Sequence, residues 1–83
     1  MTPSMLRVLR VVVGPRKGAS LGWIEEQLRL LPPRCRVLDP KACLNLLVKR
    51  GYLVVVYSYP ANGGRIALYD NTPLGRARAR YSR

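Results

Sequence analysis

The amino-acid sequence predicts an α+β domain of three helices, a two-stranded β-hairpin and a short C-terminal helix. Three observations carry that expectation. Thr2-Pro3, Asp39-Pro40 and Thr72-Pro73 each place a capping side chain before a proline. There the side-chain oxygen takes an unpaired backbone N–H, and the fixed φ of proline suits the first helical position. The apolar pattern also changes at Leu53, from helical spacing to consecutive β-branched and aromatic residues. Finally, 83 residues with 48% hydrophobic content supply one thin core and one domain.

Helix 1 starts at the Thr2 cap and carries Met5, Val8, Leu9 and Val12 on one face before Gly14-Pro15 ends it. A loop from Gly14 to Gly18 leads to Ser20, the cap of helix 2, whose Leu21, Ile24, Leu28 and Leu31 share a stripe until Pro32-Pro33. Trp23 on this helix is assigned to the core or its edge. Helix 3 is capped by Asp39, starts at Pro40 and ends at Gly51 after Lys49-Arg50. Leu38 is positioned to fold onto Cys43 as a hydrophobic staple. Cys43, Leu44 and Leu47 form the inward stripe of helix 3, and Lys41, Asn45, Val48 and Lys49 point roughly the other way.

The β-forming runs are Leu53 to Tyr57 and Arg65 to Tyr69, separated by Ser58-Tyr59-Pro60-Ala61-Asn62-Gly63-Gly64. Its proline, asparagine and paired glycines predict a hairpin with a loose tip of about five to seven residues. Thr72-Pro73 then opens a last helix through Leu74, Ala77 and Tyr81, with Arg76, Arg78 and Arg80 spread around it.

Composition narrows the function. Fifteen Lys and Arg face four acids and no histidine, for a net charge of +11. So large a positive excess on a folded chain points to a polyanionic partner. Without histidine, and with adjacent Glu25 and Glu26 projecting about 100° apart on a helix, there is little material for acid–base or nucleophilic catalysis, and a non-enzyme is expected. Cys35 and Cys43 cannot supply a four-ligand zinc site, so neither a metal nor another cofactor is expected. Core packing is the first reading for both thiols, a single bridge the second. No apolar run approaches the roughly 20 residues of a membrane span, and the N-terminus lacks the pattern of a signal peptide. A cytoplasmic, nucleoid-associated protein is therefore expected.

This order of elements is that of a winged helix-turn-helix domain. Leu44, Leu47, Lys49, Arg50, Gly51, Tyr52 and Leu53 resemble the end of the recognition helix in MarR-like and PadR-like winged-helix regulators. Tyr69 with Thr72, Pro73, Leu74, Gly75 and Arg76 resembles the segment that follows the wing in the same families. The resemblance implies a single domain over residues 1–83, with the helix-turn-helix at about 20–51, the wing at about 53–69 and the C-terminal helix at about 72–82. It also implies a small transcriptional regulator that binds double-stranded DNA, with helix 3 in the major groove and the wing on flanking backbone.

The residues expected to do this follow from charge and spacing. Lys41, Asn45 and Lys49 recur every four residues along one edge of helix 3. Asparagine can pair in bidentate fashion with adenine and lysine can donate to guanine. Arg34 and Arg36 precede helix 3, Arg16 and Lys17 precede helix 2, and Ser20 marks a helix N-terminus that offers N–H groups to phosphate. In the wing, Arg65 beside Asn62 is a candidate for a narrow minor groove, and Tyr59 for packing on sugar. Charge by segment agrees: residues 1–18 and 32–50 carry +4 each, residues 19–31 carry −1, and residues 70–83 carry +3. A homodimer through helix 1 and the C-terminal helix is a further expectation. The alternatives are an RNA- or ribosome-associated module, for which exposed tyrosines would speak, and a winged-helix protein adaptor using Leu46 and Val48.

Overall fold

The computed structural model describes residues 1–13, 18–61 and 63–81, with no account of the Tyr81 side chain. The order is α1 (Pro3–Val12), β1 (Ala19–Ser20), α2 (Leu21–Arg29), a 3-10 turn (Pro33–Cys35), α3 (Pro40–Lys49), β2 (Leu53–Ala61), β3 (Gly64–Asn71) and α4 (Pro73–Tyr81). This is the α+β arrangement expected, with the topology of a winged helix-turn-helix. None of its helices is long and apolar enough to cross a membrane, among the described residues.

All four helix starts use the side-chain caps the sequence marks. Thr2 Oγ1 accepts the Met5 N–H at 3.2 Å, Ser20 Oγ that of Trp23 at 3.3 Å, Asp39 Oδ1 that of Ala42 at 3.1 Å, and Thr72 Oγ1 that of Gly75 at 3.0 Å. The end of α3 is equally determined. Gly51 takes φ +81°, in the left-handed region. The Gly51 and Tyr52 N–H groups then turn back to the carbonyls of Val48 and Leu47, closing a Schellman motif that points the chain into β2.

The core is built from the predicted stripes. Met5, Val8, Leu9 and Val12 of α1 meet Ile24 and Leu28 of α2, Leu44 and Leu47 of α3, Ala19 and Leu53, all buried. Trp23 packs against this cluster half-buried, as does Val48, whose assignment to the outward face is corrected. The staple is also corrected. Leu38 is 89% exposed, because the extended chain entering α3 turns Val37 into the core instead. Helix α2 stops two residues before Leu31, which still packs on the core. Cys35 and Cys43 are free thiols, both half-buried, so the single-bridge reading does not hold; burial first, and then the Asp39 carboxylate, push the Cys43 thiol pKa up.

Two features of the sheet differ from expectation. It has three strands, in the order β1-β3-β2, because Ala19 and Ser20 pair antiparallel with Tyr69 and Leu68. The paired part of the wing also reaches further toward the turn than expected. Ser58, Tyr59, Pro60 and Ala61 all lie in β2, and pairing continues to Ala61 opposite Gly64. Pro60 is tolerated because β2 is an edge strand, where a missing N–H breaks no ladder bond. Val55 pairs with Tyr69 but Tyr57 with Leu68, which leaves Val56 as an extra, bulged residue.

Helix α4 is held by the corner between α3 and β2. The Thr72 hydroxyl lies 2.7 Å from the Gly51 carbonyl oxygen and 3.1 Å from that of Tyr52, so its one hydrogen serves this pair while its oxygen caps α4. Thr72→Val is therefore expected to cost about 2 kcal/mol, against about 1 kcal/mol for Thr2→Val, which loses a cap alone. Thermal melts of the two variants check the difference.

Candidate nucleic-acid interface

Helix α3 divides cleanly between inside and outside. Leu44 and Leu47 are fully buried against α1, while Lys41, Asn45 and Lys49 are exposed. With the 3.6-residue turn, residues four apart stack along one edge, so an amide sits between two ammonium groups on the side of α3 away from α1. Arg50, at the helix C-cap, is exposed as well but lies about 140° around the helix from Asn45 and so off this edge.

Arg34 lies in the 3-10 turn and Arg36 just after it, both exposed. They stand on the connection that delivers the chain to the N-terminus of α3. No hydrogen bond or ion pair to another described residue occupies the side chains of Lys41, Asn45, Lys49, Arg34 or Arg36. Cations and an amide left unengaged by the fold can turn to an outside ligand without breaking anything.

The other candidates stand differently. Ser20 is half-buried, its oxygen already caps α2 and its backbone pairs with Leu68. Its hydroxyl hydrogen remains available, but the Trp23 N–H it satisfies does not. Arg16, Lys17 and Asn62 lie outside the described residues. Arg65 grips its own wing, with Nε donating to Ser58 Oγ and Nη2 to the Ser58 carbonyl oxygen, both at 3.0 Å. It serves as a brace across the hairpin, and a groove contact by its guanidinium would have to share those donors. Tyr59 sits within β2 and not at a tip.

The wing presents an unexpected face. Alternation puts Arg65, Ala67, Tyr69 and Asn71 on one side of β3 and Ile66, Leu68 and Asp70 on the other, and Tyr69 marks the core side. Tyr57 pairs with Leu68 and Tyr59 with Ile66, so both tyrosines face outward. Tyr57 is 60% and Tyr59 36% exposed, with ring centroids 5.8 Å apart. Tyr57 was missed in the sequence because a run of valines and tyrosine after Leu53 reads as continuous core strand.

A second cationic feature lies between α1 and α4. Arg10, Arg76 and Arg80 line an open cleft of about 670 Å³ together with Val13, Pro73, Ala77 and Ala79. The even spread of arginines expected around the last helix is corrected here: Arg76 and Arg80, four apart, share one face and meet Arg10. Among the described residues there is no group of three His, Cys, Asp or Glu side chains that could hold a metal ion.

No family model, curated protein or solved structure matches the chain.

Proposed function

We propose that this domain binds double-stranded DNA as a small transcriptional regulator, with α3 in the major groove and the wing along the flanking backbone. The observation that carries the reading is the exposed Lys41-Asn45-Lys49 edge, backed by a fully buried opposite face and introduced by Arg34 and Arg36. Asn45 reads base edges and the flanking cations hold phosphates.

Electrostatics dominates the affinity. With about five phosphates neutralised per protomer, log K falls against log salt with a slope near −4 to −5. The test is titration of duplex DNA across a salt series, using sequences selected from a random duplex library and random controls. Asn45→Ala is expected to lower the preference for the selected site about tenfold, while Arg34→Ala weakens selected and random DNA alike. Equal effects of both changes on both DNAs would reject this assignment of roles. Absence of duplex binding at low salt would reject the function.

One observation favours a second reading, structured RNA. The outward Tyr57 and Tyr59 offer ring faces to unpaired bases. Tighter binding of an RNA stem-loop than of duplex DNA at the same salt, lost in Tyr57→Ala, would decide for it.

A further inference from the structure

Helix α3 has two apolar side chains that the fold leaves outside. Ala42 and Leu46 are both exposed, Leu46 by 40%. Four residues apart, they stack along one line of the helix surface with about 5–6 Å between their Cβ atoms. At about 100° per residue, Ala42 stands about 200° from Leu44 and about 140° from Leu47, the two fully buried residues that face α1. It is therefore the residue of α3 that points most directly away from the domain. Asn45 and Lys49 flank it on one side, at about 60° and 20°, and Leu46 on the other, at about 40°. The first turn that presents Ala42 is fixed: Pro40 holds the first helical position, Asp39 Oδ1 accepts the Ala42 N–H at 3.1 Å, and the Asp39 carbonyl oxygen accepts the Cys43 N–H at 3.2 Å.

We propose that α3 selects thymine in duplex DNA, with the C5 methyl group seated between Ala42 Cβ and the Leu46 side chain and with Asn45 on an adenine edge beside it. This rests on the DNA reading and adds to it the base chemistry that the site prefers. A helix lying in the major groove brings its outermost residue closest to the base edges. Among the four bases only thymine presents a methyl group there, and it is the apolar partner for a side chain such as alanine. Ala42 is the smallest side chain that still offers a carbon contact, so it lets the helix backbone approach the groove floor. Leu46, longer and one turn on, reaches the same methyl group from the side. The neighbouring amide completes the pattern, since Asn45 can pair in bidentate fashion with N6 and N7 of adenine, and adenine stands opposite every thymine. Cytosine at the same place presents a bare C5 edge beside its amino group, which leaves the apolar pair without its contact.

The test uses the full chain and the duplex selected from the random library, with each thymine replaced in turn by deoxyuridine. That change removes the methyl group and keeps the base pair and the phosphates. Loss of the methyl group held by α3 is expected to weaken binding about fourfold, at its own position and not at thymines outside the contact. The preference for thymine over uracil at that position is expected to disappear in both Ala42→Gly and Leu46→Ala. Loss of folded protein in either variant lowers both affinities together and leaves their ratio unchanged, so the ratio reports the contact alone. Ala42→Leu, at an exposed position, is expected to keep the melting temperature of the parent and to lower affinity for the selected duplex about tenfold with random DNA little changed, because its bulk lifts α3 from the base edges. A selected sequence without thymine, uracil tolerated at every position, or a thymine preference that persists in Ala42→Gly or Leu46→Ala would overturn the proposal and leave DNA binding standing. Duplex DNA that fails to bind at low salt would remove the DNA reading and this inference with it.

Discussion

Gly75→Ala is expected to destabilise the domain by about 2–4 kcal/mol and to lower Tm by about 10–25 °C. A Cβ at this buried position would stand 1.9 Å from the Tyr52 carbonyl oxygen and 2.9 Å from its carbon, with Leu9 Cδ1 at 3.4 Å. The obstacle is backbone, and backbone fixed by the Schellman turn of α3, so no rotamer change relieves it. Helix α4 must move away as a unit. That separates Thr72 from the Gly51 and Tyr52 carbonyls and uncovers Leu9, which is otherwise fully buried. Gly22→Ala is the control, because a Cβ there meets nothing within 4 Å on a helix surface; it is expected to stabilise by about 0.5–1 kcal/mol. Circular dichroism melts of both variants measure the pair. A Gly75→Ala melt within about 2 °C of the parent would show that α4 does not dock on the α3–β2 corner.

The second large effect falls on binding. Lys41→Ala/Lys49→Ala is expected to weaken duplex DNA about a hundredfold at moderate salt and to flatten the slope of log K against log salt by about two units. Both side chains are exposed and unengaged, so the melting temperature should stay near that of the parent. Leu44→Ala or Leu47→Ala, on the opposite face of the same helix, reverses the pattern. Each removes a fully buried side chain and costs about 2–5 kcal/mol, with binding lost only as folded protein is lost. A salt slope unchanged in the lysine double variant would separate this edge from the phosphates.

The elements that sequence pattern made legible are those where several local signals coincide. Asp39, Pro40, the Leu44–Leu47 stripe and Gly51 all point to the same ten-residue helix, and α3 is found there. The lysine and asparagine edge follows from helical spacing alone once that helix is placed. What was not legible depended on distant partners. Ala19 and Ser20 have no strand pattern of their own; they become β1 only because Tyr69 and Leu68 present an open ladder edge. Pro60 reads as a loop residue until one knows that β2 has no neighbour on its outer side. Leu38 and Val37 are equally apolar, and which one turns inward is decided by the path out of the 3-10 turn. The arginine cleft needed the packing of α4 on α1, two segments more than sixty residues apart in the chain, to bring Arg10 to Arg76 and Arg80.

The bulged Val56 has a consequence for how such a wing can change over generations. Side chains alternate strictly along a strand, so a slip of one residue in the pairing exchanges its two faces. Val56 paired in register opposite Leu68 would turn Tyr57 and Tyr59 to the side of Tyr69 and bring Ser58 and Pro60 outward. Loss of a single codon at Val56 would instead close the bulge, because Tyr57 would then follow Val55 in regular alternation, still opposite Leu68 and facing outward. The chemistry that the wing shows to a ligand is thus set by its register as much as by the identity of its residues. The bulge takes up one residue of length without altering that face or the hydrophobic core.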